Sequence, residues 1–140
     1  MRNIDYIVIH TTATPQYATV ESILRYWKEE KGWNNPGYHR LIEANGTVHN
    51  LQDFEDPTNG VKGHNYNSIH ISYIGGITGK MKPIDNRTYE QKAAILDCIR
   101  EAIEYTGGNK IIIQGHRDFP GVTKACPSFD AKTEYKWIMS

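Results

Sequence analysis

The sequence lacks an excess of charge of either sign, because 16 Lys and Arg residues balance 16 Asp and Glu residues. The resulting net charge of zero removes the simplest electrostatic argument for binding nucleic acid or an anionic membrane. Cysteine is also scarce, with two residues in the chain. Two cysteines allow one disulfide at most, and in a reducing compartment we expect them to have separate roles.

The sequence also lacks a long hydrophobic run. The apolar stretch 6–9 near the N-terminus stops at His10, which makes it too short for a membrane span or a signal-peptide core. No Ala-x-Ala-like cleavage site follows it. We therefore expect synthesis in the cytoplasm and no insertion into a membrane.

Repeats, low-complexity segments and linkers are absent as well, which predicts one domain over residues 1–140. A chain of this length can bury roughly two thirds of its extended surface, and 11% aromatic residues argue against disorder. Neither the composition nor the charge indicates an oligomeric state, and we expect a monomer.

The apolar patterns predict strands over residues 4–9, 69–74 and 110–114. They also predict helices from Thr19 to about Gly32, from Thr88 to Gly107-Gly108, and from Ser128 through residue 137. Segments 38–43 and 47–51 flank Asn45-Gly46, which predicts a hairpin with a type I′ turn. Residues 52–67 are polar and predict a long surface loop. This order indicates an α/β fold with a central mixed sheet flanked by helices.

Three potential ligands for a soft metal lie where predicted elements end. His10 and His116 follow the first and last strands, and Cys126 lies in the next loop. Two imidazoles and a thiolate give zinc three ligands and leave a fourth tetrahedral position to water, as in catalytic zinc sites. Lys124 is a nearby cation that favours the Cys126 thiolate. Cys98, by contrast, lies on the apolar stripe of a helix, where we expect it only to pack.

Seven segments of the sequence form an ordered set of motifs from the first strand to the last helix: Ile9-His10-Thr11-Thr12-Ala13-Thr14, Gly32-Trp33, Gly37-Tyr38-His39, Asn45-Gly46-Thr47-Val48, Asn67-Ser68-Ile69, Gly75-Gly76 and Lys124-Ala125-Cys126-Pro127-Ser128-Phe129-Asp130. As a set they resemble the zinc-dependent N-acetylmuramoyl-L-alanine amidases, the family of phage lysozyme-type amidases and peptidoglycan recognition proteins. The resemblance covers nearly the whole chain.

The resemblance implies hydrolysis of the amide between N-acetylmuramic acid and L-alanine in bacterial peptidoglycan. By position, His10, His116 and Cys126 match the family's zinc ligands, and Tyr38 and Lys124 match its two further catalytic residues. Lys124 can stabilise the oxyanion of the tetrahedral intermediate, and the Tyr38 phenol can orient water or relay a proton. The division of proton transfer between Tyr38 and Lys124 stays open.

Four further polar residues are weaker candidates. Arg40 shares the strand face of Tyr38 by alternation and could meet a carboxylate of the stem peptide, and His64 and His70 are candidate substrate contacts. Asp118 could orient a ligand imidazole or cap the loop that follows His116. His39 alternates with Tyr38, so we expect it to be structural.

Two departures from the family pattern affect the expected substrate groove. The family often has a histidine ahead of Asn67-Ser68-Ile69, where this chain reads Asn59-Gly60-Val61 and has His64 instead. It usually has a glycine at the position of His70. The preference for glycan and peptide is therefore open, while the expected metal ligands are unaffected.

Two functions fit this reading of the sequence. The first is a zinc amidase that degrades the cell wall, most naturally a compact phage or prophage endolysin. The second is a module that binds or senses peptidoglycan without catalysis. Cys126 favours the enzyme, because loss of the thiolate ligand is the simplest way to disable such a site.

Overall fold

The computed structural model describes residues 2–107 and 110–139. Within these residues the chain forms a five-stranded sheet, three α-helices and three short 3-10 helices. The strands are β1 (Tyr6–Thr11), β2 (Arg40–Ile42), β3 (Val48–Asn50), β4 (Ser68–Tyr73) and β5 (Ile112–Gly115). The α-helices are α1 (Val20–Glu29), α2 (Tyr89–Thr106) and α3 (Ala131–Glu134), and the 3-10 helices are Asn65–Asn67, His116–Asp118 and Lys136–Met139.

The sheet has the strand order β3-β2-β4-β1-β5 and is mixed, which confirms the predicted α/β class. β1 is parallel to both β4 and β5, β2 is parallel to β4, and only β2 and β3 pair antiparallel. The carboxyl ends of the parallel strands therefore meet at one edge of the sheet. Ile9 of β1 is paired with Gly115 of β5. His10 and His116 directly follow this pair, so the two histidines lie side by side at that edge.

The two faces of the sheet carry different residues because side chains alternate along each strand. On the α2 face, the isoleucines of β1 and β4 pack with Ile95 and Ile99 of α2 in the main core. Each such buried side chain contributes roughly 1.5–3 kcal/mol of transfer free energy. On the opposite face, Val8 packs with Val61 and Phe119, and His10 lies one alternation further along β1. We call this second surface the site face.

The first two helices begin at the predicted caps. The Thr19 side chain accepts a hydrogen bond from the Ser22 N–H, and Thr88 forms a reciprocal capping box with Gln91. α2 ends at Thr106, and its C-cap Gly107 has a left-handed φ of 82°, which a residue without a Cβ adopts at little cost. The predicted second terminator, Gly108, lies outside the described residues.

The hairpin is present, but its strands are shorter than predicted and the type I′ turn was wrong. Of the two central residues only Gly46 has a positive φ, at 90°. The Gly46 N–H donates to the Glu43 carbonyl over 2.9 Å, and Asn45 Oδ1 accepts from the Thr47 N–H. The connection is thus a three-residue loop ending in a left-handed glycine, the next most common hairpin geometry.

The C-terminal helix also differs from the prediction. Ser128 is not its cap, because this residue has a φ of 71° and its Oγ donates to the Gly76 carbonyl. Asp130 caps α3 instead, through a bond that its carboxylate accepts from the Thr133 N–H. α3 ends at Glu134, and a separate 3-10 helix follows.

The predicted surface loop 52–67 is partly buried. Phe54, Thr58 and Val61 are each less than 10% exposed, and the loop carries the 3-10 helix Asn65–Asn67. The loop packs over part of the site face, which its polar composition did not indicate. No helix among residues 2–107 and 110–139 is long and apolar enough to cross a membrane.

Candidate metal centre

The structure brings His10, His116 and Cys126 together at the carboxyl edge of the sheet. One ligand atom from each residue lies within 4.8 Å of the other two. His10 Nδ1 lies 3.8 Å from Cys126 Sγ, and the centroids of the two imidazole rings are 5.0 Å apart. His10 belongs to β1 itself, one residue before its end, whereas the sequence prediction placed it after the strand.

Backbone hydrogen bonds hold the Cys126 loop against β1 and the loop that follows β5. The Thr11 N–H donates to Cys126 Sγ over 3.2 Å, and the Cys126 carbonyl accepts from the Arg117 N–H over 2.8 Å. Main-chain donors from the residues that follow His10 and His116 thus hold Cys126 beside both histidines.

Burial sets the protonation of the three ligands. It lowers the pKa of His10 well below its ordinary value and that of His116 to about 4, and the charge of Lys124 lowers both further. Both imidazoles are thus neutral at pH 7, with a lone pair free for a cation. Burial raises the pKa of the Cys126 thiol to about 12, which outweighs the opposite effects of the Thr11 N–H and of Lys124. Lys124 alone therefore does not produce the predicted thiolate, which requires a bound cation.

The donor set matches a borderline-soft divalent cation. Imidazole nitrogen and thiolate sulfur are the ligands of zinc sites, whereas magnesium and calcium prefer oxygen. Within the described part of the chain the group has three members, so a tetrahedral ion held there keeps one position for water or substrate.

Two further predicted residues are Tyr38, whose ring contacts the ligand His10, and Lys124, which precedes the ligand Cys126 in the same loop. The Tyr38 ring lies 4.9 Å from the His10 ring and packs edge-on against Trp27 at 5.2 Å. Its hydroxyl donates to the Thr11 carbonyl over 3.4 Å, and burial raises the pKa of the phenol. Lys124 is exposed and precedes Cys126 by two residues, and its charge adds to burial in lowering the pKa of His116.

His70 does not occupy the substrate-contacting position predicted for it. Its side chain is fully buried on the site face, where its Nδ1 lies 2.8 Å from His10 Nε2. Its own Nε2 lies 3.0 Å from Asn65 Oδ1. Sequence reasoning missed this contact. The contact follows from the parallel register that pairs His70 with Val8, two residues before His10, and the sequence alone does not show this register.

Arg40 lies on the α2 face and not on the face of Tyr38, because strict alternation begins only at Arg40, where β2 starts. Its Nε donates to Glu101 of α2 over 3.1 Å, and its guanidinium lies over the Phe54 ring. The prediction that Arg40 shares the face of Tyr38 was therefore wrong, and the guanidinium pairs with a carboxylate of α2 instead of being free for one of the stem peptide.

The remaining predicted residues have local roles in the structure. Asp118 accepts a hydrogen bond from the Gly115 N–H over 2.8 Å, which is the loop-capping alternative. His64 is half-buried and lies 4.5 Å from the Phe119 ring. His39 is fully buried and accepts from the His70 N–H, in agreement with a structural role. Cys98 is buried in the main core, as expected.

Comparison with known proteins agrees with this geometry. The family model described as N-acetylmuramoyl-L-alanine amidase matches residues 1–129. The endolysin of Klebsiella phage KP32 is 36% identical over 128 residues, which cover 90% of this chain and 82% of that protein. Among solved structures, the amidase LysC from Clostridium intestinale matches with a TM-score of 0.77 at 20% identity. The match covers 98% of this chain and 86% of the LysC chain.

The fold is also that of a recognition protein. Drosophila PGRP-LB has a TM-score of 0.78 at 19% identity, and the match covers 99% of this chain and 84% of PGRP-LB. The fold is thus common to the LysC amidase and to a peptidoglycan recognition protein, as the sequence resemblance predicted. From the extent of the family match and the identity to a phage endolysin, the chain belongs to the N-acetylmuramoyl-L-alanine amidase family.

Proposed function

We propose that this protein is a zinc-dependent endolysin that hydrolyses the amide between N-acetylmuramic acid and L-alanine in peptidoglycan. The observation that carries the proposal is the convergence of His10, His116 and Cys126 within 4.8 Å. These three residues come from β1, from the segment after β5 and from the following loop. A complete ligand set favours catalysis over peptidoglycan binding alone.

Zinc fits the donor set better than a hard cation, since two neutral imidazoles and one sulfur are available. Bound to these residues, it would supply a Lewis acid that polarises the scissile carbonyl and activates water for attack. Both effects suit a substrate as stable as an amide. The backbone bonds that fix Cys126 keep its sulfur in place for this role.

Tyr38 is proposed to orient the reacting groups through its hydroxyl. Burial raises the pKa of this phenol above its ordinary value near 10, so it is protonated at neutral pH and acts as a hydrogen-bond donor. The ring is held between His10 and Trp27, so the hydroxyl has little freedom to leave the ligand group. Of the two roles that the sequence left open for Tyr38, we therefore propose the orientation of water.

Lys124 is proposed to stabilise the negative charge that develops on the carbonyl oxygen. It is two residues from Cys126, and its ammonium group is exposed toward solvent, where a polymeric substrate can reach it. A cation placed where an oxyanion forms lowers the barrier most when it is already in position. Lys124 thus stabilises the negative charge of the tetrahedral intermediate, and this role requires no proton transfer.

We further propose that residues 1–140 act as one catalytic domain and as a monomer. The α2 face is covered by helices, and the site face is covered in part by the loop 52–67 and α1, so the sheet needs no second chain to bury its apolar residues. As an endolysin, the enzyme is made in the cytoplasm and acts on the cell wall after release.

Metal analysis combined with wall digestion tests the proposal. The purified protein is expected to contain one zinc per chain and to clear a wall suspension, and a chelator is expected to stop the clearing until zinc is restored. The products should be free stem peptides with intact glycan strands. Release of reducing sugars, or clearing that a chelator leaves unchanged, would contradict the proposal.

A further inference from the structure

A chain of hydrogen bonds runs from His10 away from the metal-ligand group. His10 Nε2 lies 2.8 Å from His70 Nδ1, and His70 Nε2 lies 3.0 Å from Asn65 Oδ1. The same Asn65 oxygen accepts from the Val61 N–H over 2.7 Å. The chain thus ends on a backbone donor of the loop 52–67.

That backbone donor fixes the direction of every bond in the chain. A peptide N–H only donates, so the Asn65 atom facing it is the amide oxygen, which only accepts. His70 Nε2 must then carry the proton that it shares with Asn65. In a neutral imidazole the other nitrogen is an acceptor, so His70 Nδ1 accepts from His10 Nε2–H. The lone pair of His10 is consequently on Nδ1, the atom that faces Cys126.

We propose that His70, held by Asn65, is a positioning residue that locks His10 in the Nε2–H tautomer and turns its Nδ1 lone pair toward the metal. This inference deepens the proposed function, since it assigns a partner to one of the three proposed ligands. Metal-bound histidines generally donate their second N–H to an acceptor that fixes tautomer and ring orientation. Here that acceptor is a second imidazole.

The surroundings of His70 are built to hold this ring. Gly60 lies against it, and a Cβ at that position would overlap the imidazole, so a residue without a side chain is required there. The backbone N–H of His70 donates to His39 Nδ1 over 3.0 Å. His70 is fully buried and does not contact bulk solvent. Gly60 belongs to the segment Asn59-Gly60-Val61, so the two places where the chain departs from the family pattern are in contact here.

Imidazole tautomers of the zinc-free protein provide the first test. Nitrogen NMR of the wild type is expected to give the Nε2–H form for both His10 and His70. Asn65→Leu removes the acceptor and should give a mixture of tautomers at His10, whereas Asn65→Asp retains an acceptor oxygen and should restore the single form. A wild-type His10 protonated on Nδ1 would overturn the inference, even if no variant folds.

Zinc affinity provides the second test and does not depend on activity. His70→Leu keeps the volume but removes the acceptor, and we expect its zinc affinity to fall about 10- to 100-fold. His49→Leu is the matched control, because His49 pairs with Glu43 at the edge strand β3 and should leave the affinity unchanged. Wild-type affinity in His70→Leu would overturn the inference.

The two tests separate this inference from the proposed function. A wild-type protein that binds no zinc would contradict the zinc amidase, while the tautomer measurement in metal-free protein would still decide the role of His70. Zinc binding with unchanged tautomers in Asn65→Leu would contradict the role of the Asn65–His70 pair and leave the amidase intact.

Discussion

The backbone N–H of Thr11 donates a hydrogen bond to Cys126 Sγ over 3.2 Å, although 115 positions separate the two residues. Because Thr11 directly follows His10 in β1, this bond places the Cys126 sulfur next to the His10 imidazole. A main-chain donor of β1 thus holds one proposed ligand beside another. The consequences can be tested one side chain at a time.

Removal of the sulfur should abolish catalysis without unfolding the protein. Cys126→Ser replaces a soft ligand by a hydroxyl that binds zinc poorly, so we expect loss of bound metal and of wall hydrolysis. The free energy of unfolding of the zinc-free protein should change by about 1 kcal/mol or less. Metal content, turbidity assays and chemical unfolding check the three expectations.

Cys98→Ala is the matched control for the loss of a thiol. Cys98 lies on α2 and is buried in the main core, on the face of the sheet opposite the site face. We expect full metal content and activity, with a small loss of stability. Equal wall hydrolysis by wild type and Cys126→Ser would count against the ligand assignment.

Loss of the Lys124 charge should affect turnover more than metal binding. Lys124→Ala removes the proposed oxyanion stabiliser, and losses of this kind lower kcat by roughly 10²- to 10³-fold. Metal content should remain at the wild-type level, because no ligand changes. Single-turnover kinetics on a soluble muropeptide measures the effect.

Lys124→Arg tests whether charge alone suffices and should recover part of the lost rate. Lys80→Ala, at another exposed lysine, is the control and should behave as wild type. If Lys124→Ala lowered the metal content and left kcat unchanged, the lysine would contribute to metal binding and not to stabilisation of the oxyanion.

The Tyr38 hydroxyl can be removed without disturbing the packing of its ring. Tyr38→Phe keeps the contacts with His10 and Trp27, so we expect unchanged zinc affinity and a kcat lowered by about 10²-fold, the size expected when reacting groups are misplaced. Tyr26→Phe, at a half-exposed position of α1, is the control. Wild-type kcat in Tyr38→Phe would remove the hydroxyl from the mechanism.

Stability should fall in acid because of a buried arginine. Arg87 donates to Asp85 and Glu134, each at 2.8 Å, and its guanidinium lies 3.3 Å above the Phe129 ring. Hydrogen bonds from Arg87 lower the pKa of both carboxyls below their ordinary values. Their contribution is complete above the unfolded pKa values and is lost as the pH falls through the lower folded ones.

Unfolding measured from about pH 6 to pH 2 should therefore show a declining free energy of unfolding below about pH 5. The double variant Asp85→Asn, Glu134→Gln should show a flatter profile. Partial exposure of both carboxylates limits the size of the effect through solvent screening. The exposed pair Asp97→Asn, Glu90→Gln is the control, and an equally flat profile there would contradict the assignment.

The sequence predicted the elements that depend on local signals. The helix caps Thr19 and Thr88 could be predicted because their signal is local: a side chain with an oxygen directly precedes an apolar helical pattern. The mixed sheet followed from the order of these elements. The boundaries of β1 and β4 shifted by one or two residues, because periodicity alone does not define where a ladder starts.

Features set by distant contacts were harder to predict. Ser128 was taken as a cap, but a bond to the Gly76 carbonyl engages its hydroxyl. Arg40 was placed on the wrong face because alternation was extended back beyond the start of β2. The buried position of His70 beside His10 depends on the packing of the loop 52–67 over the sheet, which a single sequence does not reveal.

X-ray absorption at the zinc edge tests the central claim most directly, since it reports the atoms that surround the ion. For the wild type we expect one sulfur at about 2.3 Å and imidazole nitrogens at about 2.0 Å. Cys126→Ser should lose the sulfur shell, whereas Cys98→Ala should keep it. A wild-type spectrum with only nitrogen and oxygen neighbours would contradict the binding of one ion by His10, His116 and Cys126.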